Sequence, residues 1–411
     1  MIILYLFFLL FQLLNTYVGV LTPLNPYVFS ILFIIYGFRK PVSLTNIKLL
    51  LILLSVAFVF IIVYTIKFSF LSSFSITAKA IQFNLGYLFL IPGFTILFGF
   101  FPSIKLRHVL AGTFWTLSLE LLMEFIVIRI LKISPAAFAH YPKVAHISLN
   151  KITGEYTADR LLGIAGNASV TGVLYVSCFF LFLGSLYRDE NSLWGKKNII
   201  VCTTFIVCFF TIISGSAFFA LLLALIAVWI QKKGSLLRNT ILVSVFISIV
   251  LVTFSFISKL TDAFGNKFTV EYLIFLLSRD DVHGSLPYLI HQMSIGYHWY
   301  NFIFGSYYFE WGNPDAVIKT VDFFFVNLIY EFGLIGLILF FYVIRLGYLT
   351  VKRLQIIDEN YLKLGIFVMV IGSLHYPAIA YMASQVFLSA VFAIAIRDRA
   401  LNSDAKHLDP S

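Results

Sequence analysis

The stretch Ile199-Ile200-Val201-Cys202-Thr203-Thr204-Phe205-Ile206-Val207-Cys208-Phe209-Phe210-Thr211-Ile212-Ile213 decides the fold class. It carries no charge, and its apolar residues do not alternate with polar ones as the strands of a membrane β-barrel do. Phe323 to Ile344 behaves the same way. Inside a bilayer every backbone polar group must be satisfied internally, and about 20 apolar residues in a helix cross a hydrocarbon core of roughly 30 Å. Apolar runs of this kind recur from one end of the chain to the other. The 411 residues are 60% hydrophobic and 12% charged, with a mean hydropathy of +0.96. Soluble domains carry about 25% charged residues, so most of this chain belongs in lipid. The expectation is an all-α polytopic membrane protein.

Working outward, the apolar runs predict about twelve transmembrane helices, at 2–21, 26–38, 48–66, 82–101, 109–131, 170–187, 198–213, 217–231, 240–258, 322–344, 361–377 and 382–396. The first run lacks a basic leader and a small-residue cleavage site, so it reads as a span and not a removed signal. With a cytoplasmic amino terminus, the inner short loops collect Arg39, Lys40, Lys48, Lys105, Arg107, Arg188, Lys196, Lys197, Lys232, Lys233, Arg238, Arg345, Lys352, Arg353, Arg397 and Arg399. The outer short loops hold only Lys67 and Lys79. That asymmetry follows the positive-inside rule and puts both termini inside. It also accounts for the formal net charge of +10. No basic cluster lies on a soluble domain, so nucleic acid is not an expected partner. Cys178, Cys202 and Cys208 all fall in apolar runs, as core residues and not as disulfides or zinc ligands.

The organisation that follows has helices 1–5 over 1–131, a first large periplasmic loop over 132–169, and helices 6–9 over 170–258. A second large periplasmic loop covers 259–321, and helices 10–12 with a short cytoplasmic tail cover 322–411. Two such long connections in a tight bundle call for a function. The first ends in Arg160-Leu161-Leu162-Gly163-Ile164-Ala165-Gly166-Asn167-Ala168-Ser169. Its glycines allow close backbone approach to a ligand, and the arginine suits a phosphate. The plainer reading makes Asn167 or Ser169 the cap of the next helix. Asn167-Ala168-Ser169 also matches a glycosylation acceptor. The second loop holds Ser278-Arg279-Asp280-Asp281, His283, His291 and His298, with Tyr297, Trp299, Tyr300, Tyr307, Tyr308 and Trp311. Aromatic faces suit sugar rings, and they equally suit an interfacial belt. No carboxylate or cysteine completes a metal site with the histidines.

Ionisable groups fall within the fifth and tenth predicted spans. Glu120 and Glu124 stand one helical turn apart, with Arg129 further along. An intramembrane ionisable residue is costly and therefore a functional candidate; a buried pair with an arginine is the alternative. The tenth span opens at Asp322 and carries Asn327 and Glu331 one turn apart on one face, followed by Gly333 and Gly336. The glycines suit close helix packing. Packing does not explain Glu331.

The order of these pieces resembles the bacterial O-antigen polymerase (Wzy) family, to which the O-antigen ligases are related. The resemblance rests on Arg160 to Asn167, Ser214-Gly215-Ser216, Ser278-Arg279, Phe304-Gly305-Ser306, and Asn327 with Glu331-Phe332-Gly333. It spans the fifth to the tenth predicted helix. Many members place a histidine before the asparagine of the tenth span, where this chain has Asp322. The resemblance implies glycosyl transfer on the outer face of the bacterial inner membrane. The growing glycan would pass from undecaprenyl pyrophosphate to the non-reducing end of a lipid-linked repeat unit. Arg160 and Arg279 are the candidate clamp for the pyrophosphate leaving group. Asp322, Glu331, His283 and His291 are alternatives for the base that takes the acceptor proton. Gly163, Asn167, His283, His291, Tyr297, Trp299 and Asn327 are candidate substrate contacts. No metal and no cofactor is expected, since arginines can carry the charge. The expected partners are the undecaprenyl-pyrophosphate-linked glycan, membrane lipid and, by the resemblance, a chain-length regulator. Two other readings stay open: a ligase that passes the same glycan to lipid A-core, and a transporter or flippase for the lipid-linked precursor.

Overall fold

The computed structural model describes residues 104–131, 148–149, 156–157, 161, 163, 165, 167–190, 195–212, 214–231, 324–374 and 378–408, with single helical positions at 5, 6, 9, 35 and 303. The predicted spans 48–66, 82–101 and 240–258 and most of the second large loop lie outside the described residues, as do all but single positions of 2–21 and 26–38. Among the described residues the protein is helical: α1 Leu106–Phe125, α2 Ala168–Glu190, α3 Lys196–Ile212, α4 Gly215–Gln231, α5 Phe324–Leu354, α6 Glu359–Gly372 and α7 Met382–Leu408. One short antiparallel ladder, β1 Ser148–Leu149 with β2 Tyr156–Thr157, sits in the first large loop. Two helices contain segments long and apolar enough to cross a membrane, Ala168–Asp189 and Gly333–Leu354; Ser216–Ile226 is a shorter apolar segment.

Each helix covers a predicted span to within a few residues, and two run on well beyond the apolar stretch. The tenth predicted span ends at 344, yet α5 continues to Leu354 through Arg345, Lys352 and Arg353. The twelfth ends at 396, yet α7 continues to Leu408. Arginine and lysine are good helix formers whose long stems carry their charge to water, so they end an apolar run without ending a helix. The fifth changes character near its end: residues Ile126–Ile130 widen into a π-helical turn that closes with Leu131 N–H donating to Ile126 O at 2.9 Å. Such turns occur mostly as single insertions, often at functional sites.

Helix α2 is the axis of the bundle, packed on α1, α3, α4 and α6. Glycine lets the axes come close. A Cβ built on Gly184 would stand 2.5 Å from Tyr361 Cβ, one on Gly365 2.7 Å from Leu181 Cγ, and one on Gly372 2.5 Å from Val173 Cγ1. Positions rise along α2 as they fall along α6, so the two helices run antiparallel. Ser177 Oγ donates to Gly365 O at 2.8 Å across the same seam. Buried rings fill the space between α1, α2 and α3. Phe114 stacks on Tyr175, and Phe179 lies 3.8 Å from Phe205 with nearly parallel planes. Tyr175 Oη and Ser118 Oγ share a hydrogen bond of 2.8 Å, which satisfies the polar tip of that buried ring. Cys178 and Cys208 are buried free thiols and Cys202 is half-buried, in keeping with their apolar surroundings.

The bundle has two chemically different ends. Arg107 pairs with Asp189, Arg397 Nη2 donates to Ile104 O at 2.7 Å, and Asp358 N–H donates to Gly184 O at 3.2 Å. Lys352, Lys363 and Glu359 form an ion-paired group at this same end. The other end gathers Glu124, Gly163, Asn167, Thr171 and Ser214. The cationic residues thus collect where the starts of α1 and α6 meet the ends of α2 and α5 and the middle of α7.

Candidate functional site

The site is built where the first large loop returns to the bundle. Leu161 is buried, and two residues later Gly163 adopts φ +60°. Left-handed backbone is inexpensive only for glycine. Space imposes the same choice: a Cβ on Gly163 would stand 2.3 Å from Thr171 Cγ2. With no side chain in the way, Gly163 N–H donates to both carboxylate oxygens of Glu124, at 3.1 Å each. Ala165 N–H donates to Thr171 Oγ1 at 3.3 Å. Asn167 then caps α2, its Oδ1 accepting from Ser169 N–H at 2.9 Å and Val170 N–H at 3.3 Å. Of the two caps suggested by sequence, Asn167 holds the role, and its oxygen satisfies two amides that begin the helix without partners. Asn167 Oδ1 is therefore committed to the backbone.

The acidic pair of α1 divides between two environments. Glu124, next to last in α1 and buried, faces the loop and receives Gly163. Glu120, one turn earlier, is 2% exposed, and neither of its carboxylate oxygens has a hydrogen-bond partner among the described residues. An unpartnered buried carboxyl costs several kcal/mol whether it is charged or merely unsatisfied, so packing alone does not explain its presence. Ser384 Oγ and Gln385 Oε1 on α7, which packs against α1, are likewise buried without partners among the described residues. Sequence reading passed over these two because a single Ser or Gln in an apolar helix carries no pattern.

Asn327 and Glu331 lie one turn apart in the first part of α5. Directly after them the helix breaks: Gly333 has φ 67° and ψ −171°, and the apolar membrane-length segment begins at that residue. The motif Glu331-Phe332-Gly333 therefore sits at a discontinuity, where backbone groups leave the regular helical ladder. Interrupted helices in membrane bundles are tolerated where protein or a cavity can satisfy the freed groups. Gly163 and Gly333 are the two glycines with positive φ among the described residues.

Arg160, Arg279, Asp322, His283, His291, Tyr297 and Trp299 lie outside the described residues. Of the remaining candidates, the structure ties Gly163 and Asn167 together through the loop and places Asn327 and Glu331 on α5. Among the described residues no group of three His, Cys, Asp or Glu side chains is arranged to hold a metal ion. Comparison with protein-family models, with curated proteins and with solved structures found no match to this chain.

Proposed function

We propose that the chain is a multi-pass bacterial inner-membrane protein of about twelve spans, with two large periplasmic loops and both termini cytoplasmic, that polymerises lipid-linked glycan. In this reading a hydroxyl at the non-reducing end of the acceptor repeat attacks the anomeric carbon of the donor glycan. The new glycosidic bond forms as the bond from that carbon to the pyrophosphate oxygen breaks. Undecaprenyl pyrophosphate leaves with the electron pair, and the acceptor proton passes to a base among Asp322, Glu331, His283 and His291. Arg160 and Arg279 hold the departing pyrophosphate, whose developing charge needs fixed cations in a water-poor site.

One observation carries the reading. The two positive-φ glycines among the described residues, Gly163 in the loop before α2 and Gly333 within α5, fall inside two of the sequence pieces on which the family resemblance rests. A left-handed turn at Gly163 and a helix interruption at Gly333 support their use as binding surfaces, since uncommon backbone geometry clusters at functional sites. Gly163 lies at the bundle end opposite the cationic cluster, as a periplasmic loop would under the positive-inside rule.

Banding of lipopolysaccharide from a deletion strain tests the reading. Lipid A-core capped by a single repeat is the outcome expected of a lost polymerase. Bare core with polymer retained on the carrier would identify a ligase instead, and unchanged ladders would remove both. In the complemented strain, Arg160→Ala and Arg279→Ala each abolish the ladder while the protein still inserts at normal level. Normal ladders from both variants would dismiss the proposed clamp.

A further inference from the structure

Four phenylalanine rings of α5 meet in a way that a continuous helix forbids. Phe324 lies 5.4 Å from Phe340, centroid to centroid, and Phe325 lies 5.8 Å from Phe340 and 5.5 Å from Phe341. Sixteen residues of straight α-helix rise about 24 Å. The three pairs are centred on Phe332 and Gly333, where the backbone leaves the helix with φ 67° and ψ −171° at Gly333. That combination is open to glycine and nearly closed to other residues. Residues 324–332 are therefore a short limb that doubles back antiparallel along the start of Gly333–Leu354, and Gly333, itself buried, is the turn. Neighbouring rings touch within each limb as well, Phe324 with Phe325 at 5.3 Å and Phe340 with Phe341 at 5.5 Å, so the four close into one cluster. Edge-to-face and offset contacts of this kind are the ones that aromatic rings prefer.

The turn has a defined place relative to the rest of the bundle. Lys352 and Arg353 close the long limb at the cationic end, and the 22 residues of Gly333–Leu354 rise about 33 Å, slightly more than a bilayer core. With the cationic end at one membrane boundary, Gly333 stands at the other, and the short limb runs from it back into the membrane, placing Phe325 about 12 Å below the turn. A continuous span entering from that side would carry position 327 above position 331; the fold-back reverses the order. Irregular backbone at such a place is tolerated where protein covers it or where it lines a cavity. We propose that α5 is a re-entrant hairpin whose turn, at Glu331-Phe332-Gly333, is the part of this element presented to a substrate at the outer membrane surface, in place of its first residues. The hairpin follows from the ring contacts and Gly333 alone. Its substrate, a lipid-linked glycan, rests on the proposed polymerase reading.

Thiol counting in the full chain, within its membrane, tests the fold-back. The double variant Phe325→Cys/Phe341→Cys has five thiols after denaturation, three native and two introduced. Oxidation of the folded protein with copper phenanthroline should join the introduced pair as a disulfide and leave three, while the wild type keeps its three. Five remaining thiols would overturn the hairpin. Adding Gly333→Ala should slow the closure about tenfold, because alanine rarely adopts the backbone of this turn; an unchanged rate would overturn the glycine turn. Depth is read with a membrane-impermeant maleimide added from the periplasmic side. Leu334→Cys, beside the turn, should react about tenfold faster than Phe324→Cys, since access governs thiol reactivity. Equal rates, or the reverse order that a continuous span gives, would overturn the re-entrant placement. The last arm uses purified full-length protein with a lipid-pyrophosphate-linked repeat as donor and acceptor. A maleimide adduct on Leu334→Cys should lower transfer about tenfold or more by displacing the substrate, while the same adduct on Leu339→Cys, on the outward face, should leave it at the wild-type level. Equal activities of the two adducts would overturn the presentation of the turn to substrate. A wild type without transfer would overturn the lipid-linked glycan as substrate together with the polymerase reading, whereas the hairpin stands or falls by the thiol count.

Discussion

The most apolar segments of α2 and α5 have the same length and nearly the same mean hydropathy, and they live in opposite surroundings. All of the apolar window in Ala168–Asp189 is buried within the bundle, against 11% of the window in Gly333–Leu354. Hydropathy measures which solvent a helix tolerates; it does not say whether lipid or protein surrounds it. The difference lies in small residues. Gly172 and Gly184 on α2 bring its backbone against neighbouring helices, and glycines on α6 do the same from the facing side. Helix α5 instead turns outward Ile335, Ile338, Leu339, Phe341, Tyr342, Val343 and Leu346, and meets α7 closely where Gly347 lies against the ring of Phe392. Between helices in lipid, association comes from close packing and a few hydrogen bonds, with no hydrophobic drive to add. A helix whose outward positions are large apolar side chains therefore makes a good wall, and one that adds Ala168, Ser169, Thr171, Ser177, Cys178 and Ser185 to its glycines makes a good axis.

Substitution at the seams tests this contrast most strongly. Gly184→Val adds atoms where a Cβ already stands 2.5 Å from Tyr361 Cβ and 2.8 Å from Ile357 Cγ2. It should destabilise by about 3 kcal/mol or more, since overpacking costs 1–3 kcal/mol and here the backbone of α6 must move. Leu339→Ala on the outward face of α5 should change stability by less than about 0.5 kcal/mol. Thermal melts of the two variants in one detergent read both, and equal effects would break the distinction between axis and wall.

The two glutamates of α1 carry the same contrast to smaller scale. Glu120→Met removes an unpartnered buried carboxyl and fills its volume with an apolar side chain, so it should raise stability by roughly 1–2 kcal/mol. A lower melting temperature would mean that Glu120 has a partner in the folded protein.

The smallest effect belongs to the solvent-facing end. Lys352 and then Lys363 bond to the Glu359 carboxylate, with help from Tyr348 Oη, and hold its pKa down to about 2 from the usual 4.5. A depressed carboxylate pKa contributes stability at pH above about 4.5 that is lost as pH falls toward about 2. The group is 43% exposed, so solvent screening keeps the effect small. Melts between pH 5 and pH 3 should show a shift of about 1 °C that Glu359→Gln abolishes. A pH dependence unchanged in that variant would assign it to another group.

Much of the helical layout was readable residue by residue. The charge-free run at 199–213 became α3, and Ser214-Gly215-Ser216 became the turn into α4 with Ser214 Oγ accepting from Ala217 N–H at 3.2 Å. Helices α5 and α7 run on past the predicted spans 322–344 and 382–396, because a span ends where the apolar run ends whereas the backbone has no reason to leave the helix there. The candidate site was legible in part. Gly163 and Asn167 stood out by type and spacing, but the partner of Gly163 is 39 positions earlier in the chain, a pairing that no local pattern encodes.

By itself the sequence determined that the described chain is helical and that its helices are largely apolar, two of them with segments long and apolar enough to cross a membrane, because composition and periodicity state the cost of exposing each residue. It also marked Glu120 and Glu124 as expensive. Only the tertiary structure separated them, giving one a backbone amide from a distant glycine and leaving the other without a partner among the described residues. It likewise decided which of two equally apolar helices became the axis. The reason is physical: hydropathy is a property of a segment, whereas contact is a property of a pair. The pairs here were selected by where glycine leaves room for another helix to approach.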